Sequence, residues 1–241
     1  MLIPGGAEKH LFIHADSSLV EYRRSLSLVL TSPPFYHPER RDSKHGFAPA
    51  TDLDEYVGYI STILLRAATG LAEGRCICVV KTDVWHRGTL IPVGFRLVDE
   101  CVRRGLILLS HFVWRRFNHY SPYSPSFANV FILGTDVPSR PRSPGVLSNA
   151  QSRHRPGLSS SYTPEIFQLL ICLLTRPGAL VLDSFAGSGS VLEAAASTGR
   201  RSIGIEISRG QVRSAKRHLS RIIPGIIFRT FKKTNIEKKR S

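Results

Sequence analysis

The chain has 241 residues, of which 42% are hydrophobic, and this is enough to build one large domain or two small ones around a buried core. Lysine and arginine number 33 against 18 aspartates and glutamates, so the formal net charge of +15 favours a polyanionic partner, nucleic acid before membrane. The four cysteines form no CxxC pair, the amino terminus lacks a signal-peptide pattern, and no apolar run reaches the roughly 18 residues of a membrane span, so we expect a cytoplasmic protein.

Short apolar runs alternate along the chain with segments of helical period. Strands are predicted, in chain order, at 10–16, 25–30, 75–81, 105–114, 128–134, 179–183 and 201–207. Many of these runs are continuous, as expected for strands buried on both faces of a sheet. Helices are predicted at 51–68, 92–104, 164–175, 189–198 and 209–222, and the first begins with Asp52 and Glu55 in the spacing of a capping box. This alternation predicts an α/β fold with a mainly parallel sheet.

Three segments lack an apolar period. Residues 35–51 and 135–161 are rich in Pro, Ser, Gly and Arg, and we predict that both are loops. Residues 229–241 form a basic tail, for which a solubilising role is at least as good an explanation as a nucleic-acid contact. We therefore expect one domain over residues 1–228, followed by this tail.

The most informative stretch is ALVLDSFAGSGSVLEAA at 179–195, where a strand ends at Asp183 and a helix begins near Gly189. A glycine turn lets backbone approach a bound nucleotide, and the helix amino terminus offers free N–H groups. The next strand ends 23 residues later at Glu206, whose carboxylate can accept both hydroxyls of a ribose. No third glycine completes GxGxxG, and no GKS or GKT follows. The pattern therefore favours a nucleoside-type cofactor such as S-adenosylmethionine.

A second signal, TSPPFY at 31–36, directly follows the strand predicted at 25–30. Two prolines at a strand exit stiffen the backbone and leave carbonyl groups without neighbouring donors. With Ser32 they form a rigid bracket that can accept hydrogen bonds from an exocyclic amino group, and Phe35 can stack on a base. Taken alone, the pattern is equally consistent with an ordinary Pro-Pro loop next to a core phenylalanine.

Together, SPPF at 32–35 and DSFAGSGS at 183–190 resemble the motifs of the S-adenosylmethionine-dependent DNA amino-methyltransferases. The resemblance covers residues 10–222 and implies a Rossmann-like sheet with an antiparallel strand near one edge. The catalytic motif precedes the cofactor motif, as in the circularly permuted β-type order. SPPF is typical of the N4-cytosine enzymes, whereas N6-adenine enzymes usually carry Asp in the first place. Ser184 stands where the family commonly has Pro.

The resemblance assigns roles to individual residues and implies no metal. The catalytic set would be Ser32, Pro33, Pro34 and Phe35. The set that binds S-adenosylmethionine would be Asp16, Tyr162, Thr163, Pro164, Asp183, Phe185, Ala186, Gly187, Ser188, Gly189 and Glu206. The histidines form no HExxH pair or other metal spacing. Cys76, Cys78, Trp85 and Trp114 are interpreted as packing residues.

The implied reaction is methyl transfer to the N4 amino group of a cytosine flipped out of double-stranded DNA. Because the sulfonium methyl is strongly electrophilic, direct attack needs no covalent enzyme intermediate. Basic residues beside the bracket, at a strand exit and in the longer loop would contact DNA, although a solvated basic rim is also consistent with them. These candidates are Arg40, Arg41, Lys44, His45, Arg115, Arg116, Arg153 and Arg155. The insertion at 135–161 is too short for a separate recognition domain, which implies a brief target, weak specificity or a homodimer.

Three alternatives stay open at this point. The same enzyme could act on adenine N6, because Ser in place of Asp is a tendency and not a rule. An RNA methyltransferase is less consistent with the motif order, since its bracket usually follows the cofactor motif. A non-catalytic nucleic-acid-binding module would have lost cofactor binding, whereas Asp183, Glu206 and both turn glycines are present.

Overall fold

The computed structural model describes residues 2–3, 8–23, 25–38, 52–115, 127–136, 145–147 and 164–231. The strands are β1 (Leu2–Ile3), β2 (His10–His14), β3 (Glu21–Tyr22), β4 (Leu26–Thr31), β5 (Leu71–Lys81), β6 (Val84–His86), β7 (Thr89–Ile91), β8 (Ile107–Arg115), β9 (Phe127–Gly134), β10 (Gly145–Leu147), β11 (Leu180–Asp183), β12 (Arg201–Glu206) and β13 (Ile227–Thr230). The α-helices are α1 (Leu53–Thr69), α2 (Val93–Arg103), α3 (Pro164–Leu174), α4 (Ser190–Ser197) and α5 (Arg209–Ile222). A short 3-10 helix spans Ser17–Leu19.

Within the described residues, nine strands form one central sheet in the order β10-β8-β9-β5-β4-β11-β12-β2-β13. β9 runs antiparallel to its neighbours β5 and β8, and the other pairings are parallel. The predicted α/β class, mainly parallel with an antiparallel strand near one edge, is therefore confirmed. The strand after the glycine turn, β12, and the bracket strand, β4, flank β11 at the centre of the sheet. Since these strands are parallel, their carboxyl ends meet at one edge.

Both faces of the sheet are covered by helices, which explains the continuous apolar runs. Along β4, Val29 belongs to the core under α1 and α2, whereas Leu28 and Leu30 belong to the core under α3 and α4. Cys76 and Cys78 alternate along β5 and lie together in the second core, so their interpretation as packing residues is confirmed. A third, smaller core lies under α5.

The seven strands and five helices predicted from the sequence are all present, and the differences lie in weakly patterned segments. β5 begins at Leu71, four residues before the predicted start, because Leu71 pairs with Leu26 beyond a bulge and the residues between are largely exposed. β10 lies inside the predicted loop 135–161 and pairs with β8. β13 pairs with β2 and extends into the predicted tail at Arg229 and Thr230. Pairing with an existing strand, and not an apolar period, creates both of these strands.

Trp114 is buried, as interpreted, but the interpretation of Trp85 is wrong. Trp85 is 52% exposed on the hairpin formed by β6 and β7, opposite the exposed Leu90. The hairpin turns at Arg87 and Gly88, which both have positive φ, as the two-residue hairpin turn of type I′ requires. It follows the carboxyl end of β5 and so lies at the edge of the sheet where β4 and β11 end. No helix in the described ranges is long and apolar enough to cross a membrane.

Candidate active site

The predicted bracket leaves the sheet where β4 ends. Thr31 is the last paired residue, with Val79 of β5 as its partner, and residues 32–37 follow without helix or strand. Pro33 is buried, whereas Ser32, Pro34 and Phe35 are half-buried. Phe35 therefore keeps part of its surface exposed at the carboxyl edge, as a stacking role for this residue requires. The structure brings all four predicted catalytic residues to this edge.

A buried hydrogen bond joins the bracket to the glycine turn. The Thr31 hydroxyl donates to Asp183 Oδ1 over 2.6 Å, and the Phe185 N–H donates to the same oxygen over 3.0 Å. Burial of the Asp183 carboxyl raises its pKa to about 7, while these two hydrogen bonds act in the opposite direction. Asp183, predicted as a cofactor contact, thus holds the turn against β4 through its described contacts. The bracket after β4 and the glycine turn after β11 are therefore joined directly by a hydrogen bond.

The glycine turn is built as the sequence predicts. Gly187 and Gly189 have φ values of +51° and +93°, a backbone region that other residues rarely adopt. A Cβ atom at Gly189 would lie 2.5 Å from Leu219 Cδ1, so close packing against α5 also requires glycine there. At Gly187 a Cβ atom would meet only the Phe185 carbonyl oxygen, at 3.9 Å. The turn therefore offers open backbone just before α4 begins.

Glu206 closes the turn from the neighbouring strand. Its Oε2 accepts a hydrogen bond from the Gly187 N–H at 2.8 Å, and its Oε1 accepts one from the Ser208 N–H at 2.7 Å. Burial raises the pKa of this carboxyl, and the backbone donors oppose that shift. Each carboxylate oxygen has two lone-pair sites, so the side chain can still accept hydroxyl groups of a ligand.

Asp16 lies two residues after the end of β2, the strand next to β12 in the sheet. The Ala15 N–H donates to the Glu206 carbonyl oxygen at 3.0 Å, which sets the two strand ends side by side. Asp16 Oδ1 accepts hydrogen bonds from Ser18 N–H at 2.9 Å and from the Tyr59 hydroxyl at 3.4 Å. Burial and the Asp16 carboxylate together raise the pKa of Tyr59 to about 12, so its hydroxyl stays a donor. Asp16, Glu206 and the glycine turn thus share one edge, as expected for one ligand.

Sequence reasoning missed Lys81, the last residue of β5. Its side chain is entirely buried, and Nζ donates to the Pro34 carbonyl oxygen at 2.6 Å, to the Pro33 carbonyl oxygen at 3.2 Å and to the Tyr56 hydroxyl at 2.8 Å. Burial lowers the pKa of Lys81 to about 7, against the opposing charge of Asp83. The sequence did contain a signal for this residue. Lys81 is a charged residue directly after the apolar run of β5, and β5 is the neighbour of the bracket strand β4 in the sheet.

Some of the remaining predicted site residues lie within the described part of the chain, and the others lie outside it. Arg115 is exposed at the carboxyl end of β8, at the site edge, and Pro164 is buried as the first residue of α3. Ala186 is buried and Ser188 half-buried within the glycine turn. The predictions for Arg40, Arg41, Lys44, His45, Arg116, Arg153, Arg155, Tyr162 and Thr163 lie outside the described residues. Among the residues that are described, no three His, Cys, Asp or Glu side chains come together as a metal site.

The known proteins that this chain is similar to include DNA methylases. Residues 143–217 match the DNA methylase family model. The matched segment contains the whole glycine turn and Glu206. Putative methylase YubD of Escherichia coli K12 is 29% identical over 179 residues, which cover 62% of this chain and 75% of that protein.

Solved structures share the fold over nearly the whole chain. TTHA0409, a putative DNA modification methylase from Thermus thermophilus complexed with S-adenosyl-L-methionine, has a TM-score of 0.72 at 19% identity and covers 93% of this chain and 99% of its own. The cytosine-N4-specific PvuII DNA methyltransferase has a TM-score of 0.71 at 19% identity, with 93% and 98% covered. The M1.HpyAVI complex with S-adenosylmethionine has a TM-score of 0.59 at 16% identity, with 87% and 98% covered. The fold implied by the sequence resemblance is therefore confirmed.

Proposed function

We propose that this protein transfers a methyl group from S-adenosylmethionine to the exocyclic N4 amino group of a cytosine flipped out of double-stranded DNA. The observation that carries the proposal is the 2.6 Å hydrogen bond from Thr31 to Asp183, which joins an amino-accepting bracket to a nucleoside-binding turn. The DNA methylase match supports the substrate class. SPPF at 32–35 and the shared fold with the cytosine-N4-specific PvuII enzyme support the choice of base.

The turn and its neighbours fit the cofactor. Open backbone at Gly187 can approach a nucleoside, and the Glu206 and Asp16 carboxylates can accept its hydroxyl and amino groups. The sequence adds Tyr162, Thr163 and Pro164 as residues for the methionine portion. When bound, S-adenosylmethionine supplies an electrophilic methyl group on a sulfonium.

The bracket prepares the nucleophile. The nitrogen lone pair of an exocyclic amino group is delocalised into the ring, so the amino group is a weak nucleophile. Ser32 and the Pro33 carbonyl oxygen accept its hydrogens and favour a pyramidal nitrogen with a directed lone pair. Phe35 stacks on the base and fixes its plane. Flipping the base out of the duplex costs a few kcal/mol, which contacts to DNA must offset.

Positive charge and exposed apolar surface at the carboxyl edge suit a DNA partner. The chain carries a net charge of +15, and Arg115 is exposed at this edge. Trp85 and Leu90 form an exposed apolar pair on the hairpin that follows β5. Aromatic side chains of this kind stack on bases that have left the duplex.

The test is incubation with S-adenosylmethionine and unmethylated duplex DNA, then digestion to nucleosides and mass spectrometry. N4-methyldeoxycytidine is the expected product. If the product is N6-methyldeoxyadenosine, the enzyme is a DNA amino-methyltransferase that acts on adenine and not on cytosine. If only RNA is modified, DNA is not the substrate. A nucleic-acid-binding module that does not bind S-adenosylmethionine would show no thermal shift with it. If the protein binds S-adenosylmethionine, the cofactor at 100 times its Kd should stabilise the fold by about 2.7 kcal/mol. The Ser32→Ala variant is the matched inactive control.

A further inference from the structure

In its protonated form, the buried amine of Lys81 has all of its hydrogens satisfied at the bracket. It carries three N–H donors, and the Pro33 carbonyl, the Pro34 carbonyl and the Tyr56 hydroxyl each accept one. Nζ also lies 5.3 Å from the centroid of the Phe35 ring and 5.2 Å from that of the Tyr56 ring. The side chain therefore contacts most of the predicted catalytic set from the protein side.

The location of this cation is energetically unusual. A charge without solvent is costly unless it is paired and hydrogen-bonded. The acid that favours its protonated form, Asp83, is itself engaged by the Gly94 N–H at 3.3 Å and the Asn129 amide at 3.1 Å. The Pro33 and Pro34 carbonyls, the Tyr56 hydroxyl and the Phe35 and Tyr56 rings stabilise the protonated form of Lys81 together with Asp83.

The carbonyl groups of Pro33 and Pro34 are oriented by side chains and not by the hydrogen bonds of the sheet. Neither proline has a backbone N–H, and the ladder of β4 with β5 ends at Thr31 and Val79. Beyond that point the sheet no longer orients the peptide planes. The Tyr56 hydroxyl donates to the Pro34 carbonyl at 2.6 Å and is in turn fixed by Lys81. The carbonyl orientations therefore depend on side chains from α1 and β5.

We propose that Lys81 is a positioning residue that fixes the Pro33 and Pro34 carbonyl groups from the protein side and so sets the direction in which the target amino group is held. Each carbonyl oxygen has two lone pairs. Lys81 occupies one on Pro33 and leaves the other for the substrate. The inference rests on the proposed function, because it assigns a role within that transfer.

The test compares Lys81→Met, Lys81→Gln and Lys81→Arg with the wild type in single-turnover methyl transfer to DNA. Met matches the lysine side chain as far as Cε and removes every donor, so the rate constant should fall by roughly a hundredfold, as for a misplacement of about 1 Å. The Kd values for S-adenosylmethionine and for DNA should not change. Gln, which keeps two N–H donors, and Arg should recover part of the rate. Lys216→Met is the matched control, since Lys216 is exposed on α5 and stacks on Phe228 at 5.9 Å.

The outcomes separate this inference from the proposed function. A wild type that binds the cofactor but methylates neither DNA nor RNA would overturn both. An active wild type with an equally active Lys81→Met variant would overturn the positioning role alone. The role would also be wrong if Met, Gln and Arg lost the same rate, or if cofactor affinity fell in step with the rate, because either result indicates a general structural defect. If Met does not fold, Gln and Arg still make the comparison.

Discussion

The bond between Thr31 and Asp183 allows a prediction whose magnitude depends on pH. Thr31→Val removes the hydroxyl that donates to Asp183 Oδ1 at 2.6 Å and leaves the shape of the side chain almost unchanged. The Phe185 N–H, at 3.0 Å, remains as the other donor to that oxygen. A hydrogen bond to a charged group contributes about 1.5–3 kcal/mol, and one to a neutral group about 1 kcal/mol.

The pKa of Asp183 decides which value applies. Burial raises it to about 7, above the unfolded value of 3.8, so the group contributes stability at low pH that is lost as the pH rises through 7. The Thr31 bond lowers this pKa, and its removal should raise the pKa further. We therefore expect Thr31→Val to cost about 1 kcal/mol at pH 5.5, where the carboxyl is neutral, and about 2–3 kcal/mol at pH 8.5, where it is ionised.

Urea unfolding at the two pH values measures the difference by linear extrapolation. Thr31→Ser is the matched control, because it keeps the hydroxyl and loses only a methyl group, so its cost should not depend on pH. Equal destabilisation by Thr31→Val at both pH values would refute the assignment. The same would follow if Thr31→Ser reproduced the pH dependence of the valine variant.

The other predictions concern the division of roles within the site. Ser32→Ala and Phe35→Ala should abolish methyl transfer and leave S-adenosylmethionine binding intact by calorimetry, and parallel loss of both would contradict separate roles. Glu206→Ala should weaken cofactor binding by roughly 10- to 150-fold, which is equivalent to about 1.5–3 kcal/mol. The control variant Glu193→Ala, on α4, should leave cofactor binding unchanged. An unchanged affinity in the Glu206 variant would show that the Glu206 carboxylate does not contact the cofactor. Trp85→Ala should weaken DNA binding by about 1–3 kcal/mol without changing cofactor affinity, and unchanged DNA binding in a mobility-shift titration would remove the hairpin from the interface.

Local patterns predicted the strands, helices and glycine turn because each of them depends on neighbouring residues. Gly189 illustrates this, since its positive φ is a property of a tight turn that the sequence already indicates. The strands at the sheet edges escaped prediction for the opposite reason. Residues 145–147 and 227–230 become strands only because β8 and β2 offer them a partner.

The contacts that complete the site could not be predicted because they join residues distant in sequence. A lysine at the end of a strand usually extends into solvent, and Lys81 is buried only because the bracket and Tyr56 of α1 surround its amine with acceptors. The role of Asp183 depends likewise on Thr31, 152 residues away. Sequence pattern identified Asp183 as part of the site, but its partner required the sheet order.

The most direct test of the account is the position of the transferred methyl group. Purified protein would be incubated with S-adenosylmethionine carrying a trideuterated methyl group and with unmethylated duplex DNA, and the nucleosides would be fragmented in the mass spectrometer. We predict that the label resides on the N4 amino nitrogen of deoxycytidine and that Ser32→Ala incorporates none. Label on a ring carbon would contradict a bracket built to hold an exocyclic amino group.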